Sequence, residues 1–329
     1  MTFAPALSAL GRVLAGGVLA VLLYIALGGA MIATAGPLQP RGQMIDVGGG
    51  RRMRIVCQGP AAAGKPTVLL EAGAFGFAAD WGVVQEKLAA RGVRSCAYDR
   101  AGLGFSDPSP LPRDGINIEQ DLEALLAAAR VPGPYVLCGH SMAGLRLRQF
   151  AARHPDTVAG VVLVDATTPE AVQDPALRGF VQHFASASRA AGVGASLGLF
   201  KPLMGTGLGN KIGLTGDAER EKRHYFADGR HNRVAAEEVT LWLLAARQAV
   251  ATPPFDPDWP VAVVTAGGLT DVSAARKAQQ AAPAQASRHG YVDHVEGASH
   301  NSLLGVAYAD HIVKGVEFVM AAGPGRAAP

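Results

Sequence analysis

Charge is scarce in this chain: only 17% of its 329 residues are Asp, Glu, Lys or Arg, where globular proteins average about a quarter. Since 49% of the residues are hydrophobic, a disordered chain, a coiled coil and a solvated acidic or basic tail are excluded. Basic runs are missing too, none being longer than Arg51-Arg52, and the net charge is +3. Nucleic-acid binding has no electrostatic footprint here. Cysteine is reduced to Cys57, Cys96 and Cys138, a number that by itself says nothing. No set of histidines and carboxylates shows zinc-ligand spacing, so no metal is expected. What is plentiful is glycine (41) and proline (21), which implies tight turns between short buried elements. The length suits one large domain with an insertion, or two small ones.

One long apolar run stands out. From Val13 to Ala35 the chain carries no charge, and Arg12 comes immediately before it. As a helix it would reach about 35 Å, enough for a hydrocarbon core of about 30 Å. Residues 1–36 are therefore expected to be a membrane anchor. The alternative is a cleaved signal segment and a secreted body, since Ala33-Thr34-Ala35 before Gly36 is a small-x-small site. The run nevertheless exceeds the roughly 7 to 15 apolar residues of a signal peptide. Orientation is less direct. Arg12 and the amino terminus stand on one side, and Arg41, Arg51, Arg52 and Arg54 on the other, which counted naively leaves the body cytoplasmic. The last three, however, fall in an expected β-hairpin of a folded domain, where the charge rule is weak.

Beyond a Pro/Gly linker, short apolar runs ended by turn residues read as buried parallel strands: PTVLLEAG, VRSCAYDR, PYVLCGHS, VAGVVLVDA and WPVAVVTAGG. Between two of them, Asn117 to Arg130 has a helical stripe (Ile118, Leu122, Leu125, Leu126, Ala129) with Asn117 as its cap, and reads as a crossover helix. Alternation of this kind means an α/β fold with a doubly wound, mostly parallel sheet. Residues 167–258 break the alternation with helical patterns, such as Ala235 to Val250, and glycine-rich loops. They are read as a helical cap inserted between core segments 37–166 and 259–329, above the C-terminal ends of the strands.

The strongest chemical signal is PYVLCGHSMAGLRLRQFAARHP. A buried strand ends at Gly139, Ser141 occupies a sharp turn, and an amphipathic helix starts at once. Small residues are needed on either side because the serine backbone is strained and the helix passes close to the strand. Together with LLEAGAFGFAADW, YDRAGLGFSD, VVLVDATTPE and EGASH, this segment makes the chain resemble, from about Gln43 to Ala321, the α/β-hydrolase superfamily. The resemblance is to its capped serine hydrolases with an N-terminal membrane segment. One departure is Ala143, where the usual elbow has glycine.

The resemblance implies a Ser-His-Asp triad and no cofactor. Ser141 is the nucleophile, and a serine hydroxyl needs a base to take its proton and an acid to orient that base. His300, in a small-residue loop after the expected last strand (Gly290 to Val295), occupies the place of the base; His154, His289 and His294 read as structural. Two aspartates compete for the acid. Asp271 follows the strand WPVAVVTAGG by a short loop, the usual location, and is preferred. Asp165 ends VVLVD and is the alternative acid, or simply a cap into the insertion through Thr167 and Thr168. The oxyanion donors are expected to be Met142 N–H and Ala74 N–H, with Phe75 next. Asp99 and Arg100 read as a structural pair under the site, and Phe77 and Trp81 as aromatics beside the pocket or in the core. The family's sheet also places the strand of Cys57 beside that of Cys96, so a disulfide is expected, which an oxidising compartment would allow. Cys138 reads as buried filler.

The expected activity is cleavage of an uncharged carboxylic ester or lactone, a small molecule, through an acyl-enzyme, with the catalytic domain outside the cytoplasm. Acyl transfer or perhydrolysis by the same triad, and a ligand-binding receptor with slow turnover, are the alternatives. The apolar lining is expected from Phe180, Phe184, Leu197, Leu199, Phe200, Leu203 and Leu208.

Overall fold

The computed structural model describes residues 4–62, 64–270 and 273–322. Eight strands, β1 (Gln43–Asp46), β2 (Arg52–Gln58), β3 (Thr67–Glu71), β4 (Ser95–Tyr98), β5 (Tyr135–His140), β6 (Val158–Val164), β7 (Val261–Ala266) and β8 (Gly290–Val295), form one sheet in the order β1-β2-β4-β3-β5-β6-β7-β8. Only β1 with β2 and β2 with β4 pair antiparallel; the remaining pairs are parallel. The helices are α1 (Ala4–Thr34), α2 (Gly82–Ala90), α3 (Gly115–Ala128), α4 (Ala143–Arg153), α5 (Pro175–Ser196), α6 (Gly216–Phe226), α7 (Gly229–Thr240), α8 (Trp242–Val250), α9 (Ala274–Ala286) and α10 (Ala309–Ala322).

The central strands are apolar without alternation because both faces are covered. Val68, Val136, Val162 and Val264 pack on one side with Val84, Leu88, Ile312 and Val316 of α2 and α10. Leu69, Leu137, Leu163 and Val263 face Leu122, Leu125, Leu147 and Phe150 of α3 and α4. Cys57 and Cys96, opposite each other in the β2–β4 register, are joined by a disulfide.

Two helix boundaries differ from the expected ones. The crossover helix starts at Gly115, because Asp114 rather than Asn117 is its cap: Asp114 Oδ1 accepts from Ile116 and Asn117 N–H at 3.0 and 3.2 Å. The single helix expected over 235–250 is two, α7 and α8, separated at Leu241.

Between β6 and β7 the chain forms α5, α6, α7 and α8 and short 3₁₀ turns, without a strand among the described residues. This layer is bolted down by buried ion pairs. Arg54 on β2 bonds both Asp99 and Glu221 of α6, and Arg41 of the linker also holds Glu221. Arg100 bridges Glu71 at the end of β3 and Glu238 of α7, at 2.8 Å each. Asp99 and Arg100 thus lie under the site but pair with other partners, not with each other. Phe77 and Trp81 are core residues, both fully buried.

Candidate active site

The site stands where β5 gives way to α4. Ser141 has φ 58°, the strained turn that lifts its hydroxyl off the sheet. Close packing explains the small residues around it. A Cβ on Gly144 would lie 2.5 Å from Thr167 O, and one on Gly139 would lie 2.6 Å from Leu147 Cδ1 and 3.0 Å from Ala143 Cβ. The methyl of Ala143 is accommodated because Gly139 opposite it has none.

His300, from the loop after β8, accepts at Nε2 from the Ser141 hydroxyl at 2.9 Å, and its Nδ1 lies 2.5 Å from Asp165 Oδ2. A proton on Nδ1 and a lone pair on Nε2 satisfy both partners, the arrangement a general base requires. Asp165 ends β6 with φ 41°, which turns its carboxylate over the sheet edge. Its Oδ1 accepts from Gln280 Nε2 of α9 at 2.9 Å and Ala266 N–H at 3.4 Å. Burial alone would raise the Asp165 pKa, but the hydrogen bond and charge of His300, with Gln280 behind them, hold it below the ordinary carboxylate range.

Of the two candidate acids, Asp165 faces the imidazole; Asp271 lies outside the described residues. Asp165 does not cap the insertion: its oxygens are committed to His300, Gln280 and Ala266.

Ala74 and Met142 N–H find no acceptor among the described residues, while the carbonyls of the loop after β3 are drawn away by buried cations. Arg100 donates to Ala72 O, Gly73 O and Gly76 O, and Arg146 to Ala72 O. Lys222 Nζ and His231 Nε2 donate to Phe75 O. Gly73 lies against Ser141, since a Cβ there would come within 2.9 Å of Ser141 Cβ. A loop with its carbonyls held outward and its N–H groups left over is suited to receive negative charge.

Several of these residues escaped the sequence reading. Arg146 carried one signal, a charge in the middle of an otherwise apolar helix start; Glu71, Glu238 and Gln280 carried none. His140, beside Ser141, is buried and donates from Nε2 to His300 O at 2.9 Å, with the two rings 4.4 Å apart. His154 pairs with Glu123 and His294 with Thr265. Burial pushes the Cys138 thiol well up, which leaves it inert.

Two of these histidines give an acid-stability expectation. Burial, reinforced for His231 by Lys222, lowers its pKa to about 3, and burial with the neighbouring His300 lowers that of His140. The unfolded chain takes up a proton on each near pH 6.5 while the folded chain does not, so stability falls as pH drops from about 6.5 towards 3, by about 1.4 kcal/mol per pH unit per histidine. Denaturant unfolding from pH 6.5 to 5 should show that slope reduced by about one proton in His231→Gln; an unchanged slope would mean that His231 titrates normally in the folded protein.

Residues 66–293 match the family model described as the alpha/beta hydrolase fold, and the chain belongs to that family. It is 33% identical over 129 residues to a Hormonema carpetanum protein described as a probable transporter, efuK, covering 38% of this chain and 18% of that protein. It is 41% identical over 93 residues to the pimeloyl-[acyl-carrier protein] methyl ester esterase of Chromobacterium violaceum, covering 28% of this chain and 33% of the esterase. The chain thus spans a third or less of these relatives. The enol-lactonase of Burkholderia xenovorans LB400 superposes with a TM-score of 0.56 at 20% identity, over 83% of this chain and 98% of that one, a likeness of fold.

Proposed function

We propose that this α/β hydrolase is a membrane-anchored serine hydrolase that cleaves an uncharged carboxylic ester or lactone. The observation that carries this reading is the unbroken run Ser141 Oγ, His300, Asp165. Ser141 Oγ attacks the carbonyl carbon while its proton passes to His300 Nε2, and Met142 and Ala74 N–H receive the oxyanion. Collapse breaks the bond to the leaving oxygen, which takes the proton from His300. Water then repeats the sequence on the acyl-Ser141 ester and releases the acid. Asp165 keeps the imidazole in the required tautomer and offsets its positive charge.

The apolar surroundings support an uncharged substrate. Met142, Leu145, Val181, Val239 and Trp242 form one cluster with Ala74, Phe75 and Phe184, so the cap closes over the elbow with hydrocarbon. From the oxyanion loop a chain of rings runs outward: Phe75 to Phe184 at 6.1 Å, then Phe184 to Phe180 at 5.7 Å, where Phe180 is 55% exposed. Only this part of the expected lining is at the site; Leu199, Phe200 and their neighbours lie at the other end of α5, against α1 or α6. Localisation outside the cytoplasm rests on the Cys57–Cys96 bridge, which a reducing compartment would not maintain.

A series of p-nitrophenyl esters tests the substrate class. Specificity should rise by about fourfold per added methylene until the pocket is full, as expected for about 0.8 kcal/mol per buried CH₂. Phe184→Ala should flatten that rise without abolishing acetate cleavage. Strong preference for acetate or for a charged acyl group would overturn the apolar reading.

A further inference from the structure

The N-terminal helix does not leave the body freely; it is seated on the cap. Tyr24 OH donates to Leu199 O at 2.8 Å, and Gly28 meets Gly198 backbone to backbone, so closely that a Cβ on Gly28 would lie 2.2 Å from Gly198 O. Tyr24 and Gly28 are four residues apart and share a helix face.

The depth of this contact follows from the length of the span. The stretch long and apolar enough to cross a membrane is Arg12–Thr34. Arg12 fixes its near end, because moving the stretch to bury a guanidinium at mid-bilayer would cost about 3 kcal/mol or more. At about 1.5 Å per residue, Gly28 and Tyr24 lie about 9 and about 15 Å in from Thr34, while the stretch exceeds a core of about 30 Å by only about 5 Å. Both residues fall inside the hydrocarbon, and the cap segment they touch must be there with them. The Tyr24 hydroxyl then has the internal partner that lipid cannot offer.

The cap is built for such immersion. Residues 190–209 read AAGVGASLGLFKPLMGTGLG, and their single charge, Lys201, is buried. Val193, Leu197 and Leu208 are 59%, 51% and 47% exposed, and Val193 and Leu197 lie one turn apart on the end of α5 that leads into Gly198. Charges border it: Arg189 and Lys211 along the chain, and in space the exposed Arg233, bonded to Ser196 Oγ, and Arg223, which donates to Met204 O and Thr206 O.

We propose that the cap surface carrying Val193, Leu197 and Leu208 is itself embedded in the bilayer beside α1, with lipid acyl chains as its partner. This rests on the reading of α1 as a membrane anchor. The cap over the active site is then a second, monotopic membrane contact, and the hydrolase is held in one orientation on the membrane instead of swinging on a tether.

The test uses the full chain reconstituted in phosphatidylcholine vesicles containing doxyl-labelled lipid. Cys57 and Cys96 are bridged and Cys138 is buried, so single fluorophores can be placed through Leu22→Cys, Leu197→Cys and Lys65→Cys. Leu22 lies on the exposed face of α1, and Lys65 is exposed just before β3, at the sheet edge opposite the cap. Quenching at Leu197→Cys should come within about a factor of two of that at Leu22→Cys, with Lys65→Cys at background. If Leu22→Cys is quenched and Leu197→Cys matches Lys65→Cys, the cap stands clear of the lipid and the proposal is wrong. Leu22→Cys at background would overturn the membrane reading of α1, and the proposal with it.

Discussion

Asp165→Asn should lower kcat by about 10⁴-fold, because an amide at that position stabilises the wrong histidine tautomer and no longer offsets the imidazolium. Asp271→Asn should leave kcat within a few-fold of the parent, since the imidazole Nδ1 is already committed to Asp165 Oδ2. The comparison is sharp because both substitutions are nearly isosteric. Each variant should be assayed at saturating p-nitrophenyl ester alongside its unfolding midpoint, so that lost activity is not confused with lost fold. A reversed ranking would move the acid to the loop after β7 and require the His300 loop to rearrange on binding.

Ser141→Ala should have the largest effect of all. Loss of the nucleophile in a triad of this type costs about 10⁶-fold in kcat, and His300→Ala alone should cost nearly as much because the members act as a unit. Combining the two substitutions should therefore add little. Stability should barely change in Ser141→Ala: the alanine keeps the Cβ, loses only the bond to His300, and leaves the packing against Gly73 as it was. Residual turnover of a few per cent would be incompatible with Ser141 as nucleophile.

How far the sequence revealed this site follows from the range of the interactions involved. The elbow is local: strand, turn and helix are consecutive, and Gly139, Ser141 and Gly144 carry their steric reasons within a few residues of chain. His300 was legible because it sits in a small-residue loop after the last strand. The acid was not decided by such signals. In the sequence Asp165 ends one strand and Asp271 follows another, and what holds Asp165 toward the imidazole is a backbone turn and the reach of Gln280, 115 residues away. The cations behind the loop after β3 were hidden for the same reason: the Arg100 to Glu238 bond spans 138 residues. The apolar cap residues were legible as a group, but their division between Phe180 and Phe184 at the site and Leu199 against α1 depends on which end of a 22-residue helix faces which neighbour. Helix ends were misplaced by side-chain capping, as at Asp114, where an acid three residues upstream outcompetes a plausible asparagine.

The central claim is a covalent acyl intermediate on Ser141, and rapid acid quenching followed by peptide mass spectrometry tests it most directly. With a p-nitrophenyl ester in excess, the peptide containing GHSMAG should gain the mass of the acyl group at Ser141 within the first turnover, and hydroxylamine should remove it. An acyl mass on any other residue, or full p-nitrophenol release from Ser141→Ala, would contradict the account.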